Sequence, residues 1–133
     1  MMSINGKIGF SVYSENTFDE QIEKILCITP KKIIKKGEKI GSHLIAPKNA
    51  WLYHIEFHDY DDFASKAVDF YDQLLGQQGG INFLKTKYDV SIDMYIGSDL
   101  GQMGYTLPTK MIKMASQIDL DINFHILSFG LVE

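Results

Sequence analysis

The residues best suited to chemistry occupy alternate positions of predicted β-strands. They comprise histidines, carboxylates and tyrosines, and they are Tyr13, His54, Glu56, Asp93, Tyr95, Asp121 and His125. Imidazole and carboxylate groups together are typical of acid–base and metal sites. Their spacing supports neither use, because they come from different strands and form no H-x-H or H-E-x-x-H motif. We therefore expect these side chains to point to solvent on one side of a sheet, either as a protein-binding face or as an ordinary solvated one.

A lysine-rich segment is the second candidate. Between Lys31 and Lys48 there are six lysines and one acid, Glu38, whereas residues 53–72 carry a net charge of −5. Charge runs are usually solvated surfaces, so we expect an exposed connection balanced by the acidic start of the next helix. The alternative is an anion-binding loop, since long connections in compact domains are often functional. Its anion-binding lysines would be Lys31, Lys32, Lys35, Lys36 and Lys39.

A glycine-rich segment at residues 97–104 lies between a predicted strand and a predicted helix, where phosphate-binding loops occur. Its pattern, G-x-x-x-G-x-x-G, matches neither a Walker loop nor a dinucleotide fingerprint, and Asp99 would repel phosphate. We expect a mobile surface loop. No serine lies in a G-x-S-x-G elbow. The sequence therefore predicts no catalytic residue, no metal site and no cofactor.

Length and composition limit the remaining possibilities. The 133 residues, with 45% hydrophobic residues, predict a single folded domain over residues 1–133. No apolar run near the start is long enough for a signal peptide or a membrane span, so we expect a cytoplasmic protein without a membrane partner. All 13 basic residues are lysines, and the formal net charge is −4, which argues against direct nucleic-acid binding. The single cysteine, Cys27, is expected to be buried.

Hydrophobic periodicity predicts four strands and three helices in the order β-α-β-α-β-α-β. The strands are Lys7 to Ser14, Ala50 to Phe57, Tyr88 to Ile96 and Ile118 to Leu127, and the helices follow Thr17, Asp59 and Pro108. Thr17 and Glu20 have the spacing of a capping box. Each strand alternates, whereas a sheet covered on both faces would show continuous apolar runs. The expected fold class is α/β (α+β): a two-layer sandwich with a mixed four-stranded sheet and helices on one face.

Several short motifs together resemble a known family. They are "LCITPKKIIKKGEKIG", "AWLYHIEF", "DVSIDMYIGS" and "LDINFHI". With Leu26 to Pro30 as a helix stop, Lys36-Gly37-Glu38, Trp51 opening a strand and the acidic stretch Asp119 to Asp121, the chain resembles the bacterial domain of unknown function 4279. That resemblance implies no established enzyme activity. It implies a small protein of the kind found as immunity partners of secreted toxins.

These observations predict a non-catalytic immunity protein that binds a basic toxin domain, such as a nuclease, with acidic and polar side chains. The expected contact residues are Glu56, Asp61, Asp62, Asp69, Asp72, Asp93, Tyr95, Asp119, Asp121 and His125. The alternative is a small-ligand or anion-binding domain, or an uncharacterised enzyme, that uses the lysine-rich loop 31–48.

Overall fold

The computed structural model describes residues 4–100 and 106–131. Its architecture is a mixed sheet with helices packed on one side. The strands in this part of the chain are β1 (Ile4–Ser14), β2 (Lys32–Ile34), β3 (Asn49–Phe57), β4 (Asp89–Leu100) and β5 (Ile122–Leu131). The helices are α1 (Ile22–Leu26), α2 (Tyr60–Leu75), α3 (Gln78–Lys85) and α4 (Thr109–Ile118). The sheet order is β2-β3-β1-β4-β5, with β1 antiparallel to β3 and β4, and β4 parallel to β5.

The core lies between one face of the sheet and the helices. Ile8, Phe10 and Val12 alternate along β1 and are fully buried on this face. The longest helix, α2, covers them with apolar side chains at helical spacing, including Phe70 and Leu74. The expected α+β class, with a mixed sheet and alternating strands, is confirmed. None of the described helices is long and apolar enough to cross a membrane.

The predicted strand count and order differ from the structure in detail. A short extra strand, β2, pairs with Ala50–Leu52 of β3 inside the lysine-rich segment, and the extra helix α3 lies between α2 and β4. The last strand begins at Ile122, four residues later than expected, because α4 continues through Ile118. Ile118 fits both an alternating strand and the buried stripe of α4 that contains Met111. The helical pattern prevails there, and β5 begins only after the turn.

The first helix is also shorter than its capping signal indicates. The helix begins at Ile22, and no side chain caps it. Instead of closing a capping box with Thr17, Glu20 pairs with Lys87 at 2.7 Å. The backbone N–H of Asp19 donates to the hydroxyl of Tyr88 at 3.1 Å. Contacts with residues remote in sequence therefore hold this stretch outside the helix.

Cys27 ends α1 in a left-handed backbone conformation, with φ of 54°. Cys27 is exposed, so the expectation of a buried cysteine was wrong. The apolar stripe of α1 ends one residue earlier, at the buried Leu26. Because the C-cap residue does not have helical backbone angles, its side chain does not continue the buried apolar stripe of the helix.

Candidate protein-binding face

The sheet face opposite the helices, called here the open face, collects polar residues from four strands. The register of β3, β1, β4 and β5 arranges them in two neighbouring rows of cross-strand partners. The first row is Glu56, Lys7, Tyr95 and His125, and the second is His54, Gly9, Asp93 and Asn123. Paired residues project from the same side of a sheet, so each row forms a continuous strip.

Asp93 is the centre of a hydrogen-bonded network on this face. One carboxylate oxygen accepts a 2.6 Å hydrogen bond from the Ser11 hydroxyl. The other lies 3.4 Å from the amide nitrogen of Asn123 and 3.2 Å from Nε2 of His125. Only 4% of Asp93 is exposed, because these groups and its own strand enclose it. The prediction that Asp93 points to solvent was wrong, and its carboxylate supports the neighbouring side chains.

Tyr95 and His125 form a stacked aromatic pair beside Asp93. Their ring centroids are 4.4 Å apart and their planes differ by 13°. The ammonium of Lys7 lies 5.0 Å from the centroid of the Tyr95 ring, in the geometry of a cation–π contact. Burial, and then the charge of Asp93, raise the pKa of Tyr95, so its hydroxyl stays neutral at physiological pH. The pair therefore presents an ordered aromatic surface with a neutral polar tip.

A cleft of about 730 Å³ opens at the end of the open face where β1 begins and β3 ends. Its walls include Lys7, Glu56, His58 and Leu127, beside the stacked pair. Gly97 and Asn5 also line it, and the glycine lets the Asn5 side chain approach closely, since a Cβ on Gly97 would lie 3.0 Å from the Asn5 side-chain oxygen. The walls combine both signs of charge with apolar and aromatic groups. Such a mixture suits a segment of a protein partner better than a strongly charged small molecule.

His54 supplies a pH-dependent contribution to folding on this face. Burial, and then the charges of Lys7 and Lys31, lower its pKa, while Glu56, 4.0 Å away, opposes them. Folding therefore favours the neutral imidazole. This contribution is complete above the ordinary histidine pKa of about 6.5 and is lost as the pH falls through the lower folded-state value.

We expect His54→Gln to flatten the acid side of the stability profile. Urea denaturation at a series of pH values would measure it, and the parent protein should lose more unfolding free energy below about pH 6.5 than the variant. The other histidines are common to both proteins, so their contributions cancel in the difference. Parallel profiles would contradict the assignment.

The predicted contact residues do not form one surface. Glu56, Tyr95 and His125 share a row of the open face. Asp69 and Asp72 are exposed on α2, which packs against the other side of the sheet. Because α2 directs its apolar stripe at the sheet, these two carboxylates face away from the open face.

The remaining acids lie at the ends of elements. Asp62 is in the first turn of α2, where its carboxylate accepts from the His58 N–H at 3.1 Å. Asp61 is next to it in the helix, and its side chain lies outside the described part of the structure. Asp119 caps α4 and pairs with Lys85 at 3.4 Å. Asp121 is exposed just before β5. The set is therefore spread over several faces.

The lysine-rich segment contains the strand β2, and it lies away from the acidic helix. Its strand β2 pairs with the start of β3, whereas α2 follows the end of β3. None of its six lysines forms an ion pair with the described side chains. The expected balancing of this segment by the acidic helix start was wrong.

The alternative hypothesis of an anion-binding loop depends on five lysines of this segment. Lys31, Lys32, Lys35, Lys36 and Lys39 are all exposed. Lys35 and Lys36 line a cleft at the sheet edge, and Glu15 lines the same cleft. A carboxylate in that position opposes the binding of a small anion.

The glycine-rich segment falls only partly within the structure. Strand β4 extends through Gly97 to Leu100, so the expected loop begins later than the glycine pattern indicated. Residues 101–105 lie outside the described residues. In the described regions, no three or more histidine, cysteine or acidic side chains are arranged to hold a metal ion.

Sequence reasoning missed the residues that hold the stacked pair in place. Ser11 and Asn123 donate to Asp93, and Lys7 contacts the Tyr95 ring. The available signal was the polar side of the alternation along β1 and β5, which contains all three residues. The convergence of Ser11 and Asn123 on one carboxylate depends on cross-strand register, which the alternation of single strands does not specify.

The model of one protein family, described as domain of unknown function 4279 (DUF4279), matches residues 4–129. The chain belongs to this family. The resemblance of the short motifs is thereby confirmed, and both the open face and the lysine-rich segment of this DUF4279 protein lie within the matched region. No curated protein matches the chain. No solved structure matches it either.

Proposed function

We propose that this DUF4279 protein is a non-catalytic immunity protein that binds and neutralises a bacterial toxin domain in the cytoplasm. The open face is the proposed binding surface. The observation that carries the proposal is the ordered Tyr95–His125 pair, which is stacked at 4.4 Å and still partly exposed. Tyrosine is enriched among the residues that dominate binding energy at protein interfaces.

The network beneath the pair supports this role, because it fixes the binding groups before a partner arrives. Asp93 orients the His125 ring, and the His125 ring stacks on Tyr95. Lys7 covers another part of the Tyr95 ring. Association normally costs the rotamer freedom of the side chains that become ordered. Side chains that are already ordered avoid part of this cost, so more of the contact energy contributes to affinity.

Charge supports a basic partner. The chain has a formal net charge of −4, and Glu56 is exposed in the same row as the stacked pair, on the far side of Lys7. The exposed side chain of Leu127, two residues after His125 on the edge strand β5, adds apolar surface to the same face. An apolar and aromatic centre with a charged rim is the usual anatomy of a protein interface. Opposite charge would mainly speed association and make it sensitive to salt.

Co-expression with the candidate toxin would test the proposal. The candidate is the carboxy-terminal domain of the protein encoded immediately upstream, and co-expression of this chain should restore growth that the domain abolishes. Calorimetry with the two purified proteins should show tight binding that weakens at high salt. Rescue without direct binding, or neither rescue nor binding, would refute the proposal.

A further inference from the structure

The lysine-rich segment contains a small β-hairpin at residues 38–46, called here the lysine hairpin. The Ala46 N–H donates to the Glu38 carbonyl at 2.8 Å, and the Ile40 N–H donates to the Leu44 carbonyl at 3.0 Å. Between these two bonds, Lys39 and Ile45 form an antiparallel bridge. Residues 41–43 form the turn, so Ile40 and Leu44 are the paired residues nearest the tip.

The residues that flank the turn Gly41-Ser42-His43 are apolar and exposed, and they are called here the apolar tip. The exposed fractions are 43% for Ile40, 64% for Leu44 and 63% for Ile45. Paired residues project from the same side and successive residues from opposite sides, so Ile40 and Leu44 lie on one side and Ile45 on the other. Three large aliphatic side chains within six residues form an exposed cluster that calls for a binding partner.

Lysines surround the base of the hairpin. Lys35 and Lys36 precede it and Lys48 follows it, while Lys39 lies within it. The base is attached to the sheet, since the Lys36 N–H donates to the side-chain oxygen of Asn49, the first residue of β3, at 2.9 Å. The hairpin therefore presents an apolar tip beyond a base at which four lysines outnumber the one acid of the segment, Glu38.

We propose that the lysine hairpin docks this protein on an anionic lipid surface. Its apolar tip would enter the acyl boundary while the lysines contact the headgroups. The charge is complementary, because the segment from Lys31 to Lys48 has six lysines and one acid. An anionic leaflet presents negatively charged headgroups above an apolar interior. The lysines at the base of the hairpin would meet the headgroups, and the apolar tip would reach the interior, so the two layers match in order.

The arrangement of the aliphatic residues favours lipid over an acidic protein. They lie on both sides of the hairpin, so a protein groove would have to enclose the tip, whereas a bilayer surrounds an inserted tip on every side. The rest of the chain is acidic and is repelled by the same surface, which orients the hairpin toward it. Docking of this kind needs no membrane-spanning segment, so the proposal departs from the expectation of no membrane partner without requiring an apolar span. It is independent of the proposed immunity function.

Vesicle flotation with the full chain tests the proposal. The probes are vesicles of phosphatidylcholine containing phosphatidylserine and vesicles of phosphatidylcholine alone, each at low and high salt. We expect flotation with the anionic vesicles at low salt and little with the neutral ones. The double variant Leu44→Ser, Ile45→Ser and the double variant Lys35→Glu, Lys39→Glu should each reduce the partition coefficient by at least about tenfold.

Matched controls lie on α4. Lys110→Glu with Lys113→Glu makes the same change in net charge at two other exposed lysines, and Ile112→Ser removes another exposed aliphatic side chain. Neither control should change flotation by more than about twofold, a small change in binding free energy. Absence of flotation with anionic vesicles would overturn the proposal. So would flotation that depends on the lysines and not on Leu44 and Ile45, which would indicate electrostatic attraction to the headgroups without insertion of the apolar residues.

Discussion

Gly6→Ala is expected to prevent folding, or to lower the free energy of unfolding by more than about 4 kcal/mol, a large part of the stability of a typical domain. Gly6 lies in the central strand β1, where it is the cross-strand partner of Phe57 and Ile96. A Cβ at this position would overlap the backbone carbonyl of Tyr95 and lie 2.9 Å from the ring of Phe57. Relief requires a shift of β4 itself, which a side-chain rotation cannot provide. Urea denaturation measures the effect.

Gly79→Ala is the matched control. Gly79 lies in α3, and a Cβ there would have no heavy atom within 4 Å. Alanine has a higher helix propensity than glycine, so this variant should gain about 0.5–1 kcal/mol. Equal stabilities for the two variants would show that β1 and β4 are not as close at Gly6 as the structure places them.

Sequence periodicity predicted the central strands and α4 because those elements are long and each buries one face. In β1 and β4 the buried apolar residues recur at every second position, from Ile8 to Val12 and from Val90 to Ile96. In β3, Trp51 and Phe57 are buried on the same side, with Tyr53 and Ile55 partly buried between them. A three-residue strand such as β2 contains too few residues for a period to appear. The predicted start of the first helix was wrong for another reason. Tyr88 and Lys87, more than 60 residues away in the sequence, bind the Asp19 N–H and the Glu20 carboxylate of the expected capping stretch.

The candidate site was predictable only in part. Alternation placed Glu56, Tyr95 and His125 on one polar face, and the register of the sheet brings them into one row. It could not show that Asp93, on the same face, is buried, because that depends on donors from β1 and β5. The acids of α2 were grouped with this face by charge alone. Charge does not specify which side of a sheet a helix covers.

The second large effect concerns binding at the open face. Tyr95→Ala should weaken the affinity for the proposed toxin partner at least about 30-fold, or about 2 kcal/mol, the usual threshold for a dominant interface residue. The aromatic ring supplies the stacking surface for His125 and the contact with Lys7, so its loss removes the ordered pair as well as its own contact area. Titration calorimetry measures the change.

Two further variants separate the roles of the ring, its hydroxyl and the opposite face. Tyr95→Phe keeps the stacked ring and should retain most of the affinity. Asp72→Asn alters an exposed carboxylate on α2, on the other side of the sheet, and should leave the affinity within about twofold of the parent. If Asp72→Asn weakened binding while Tyr95→Ala did not, the partner would dock on the helical layer. The predicted acidic contacts Asp69 and Asp72 would then be the binding residues in place of the open face.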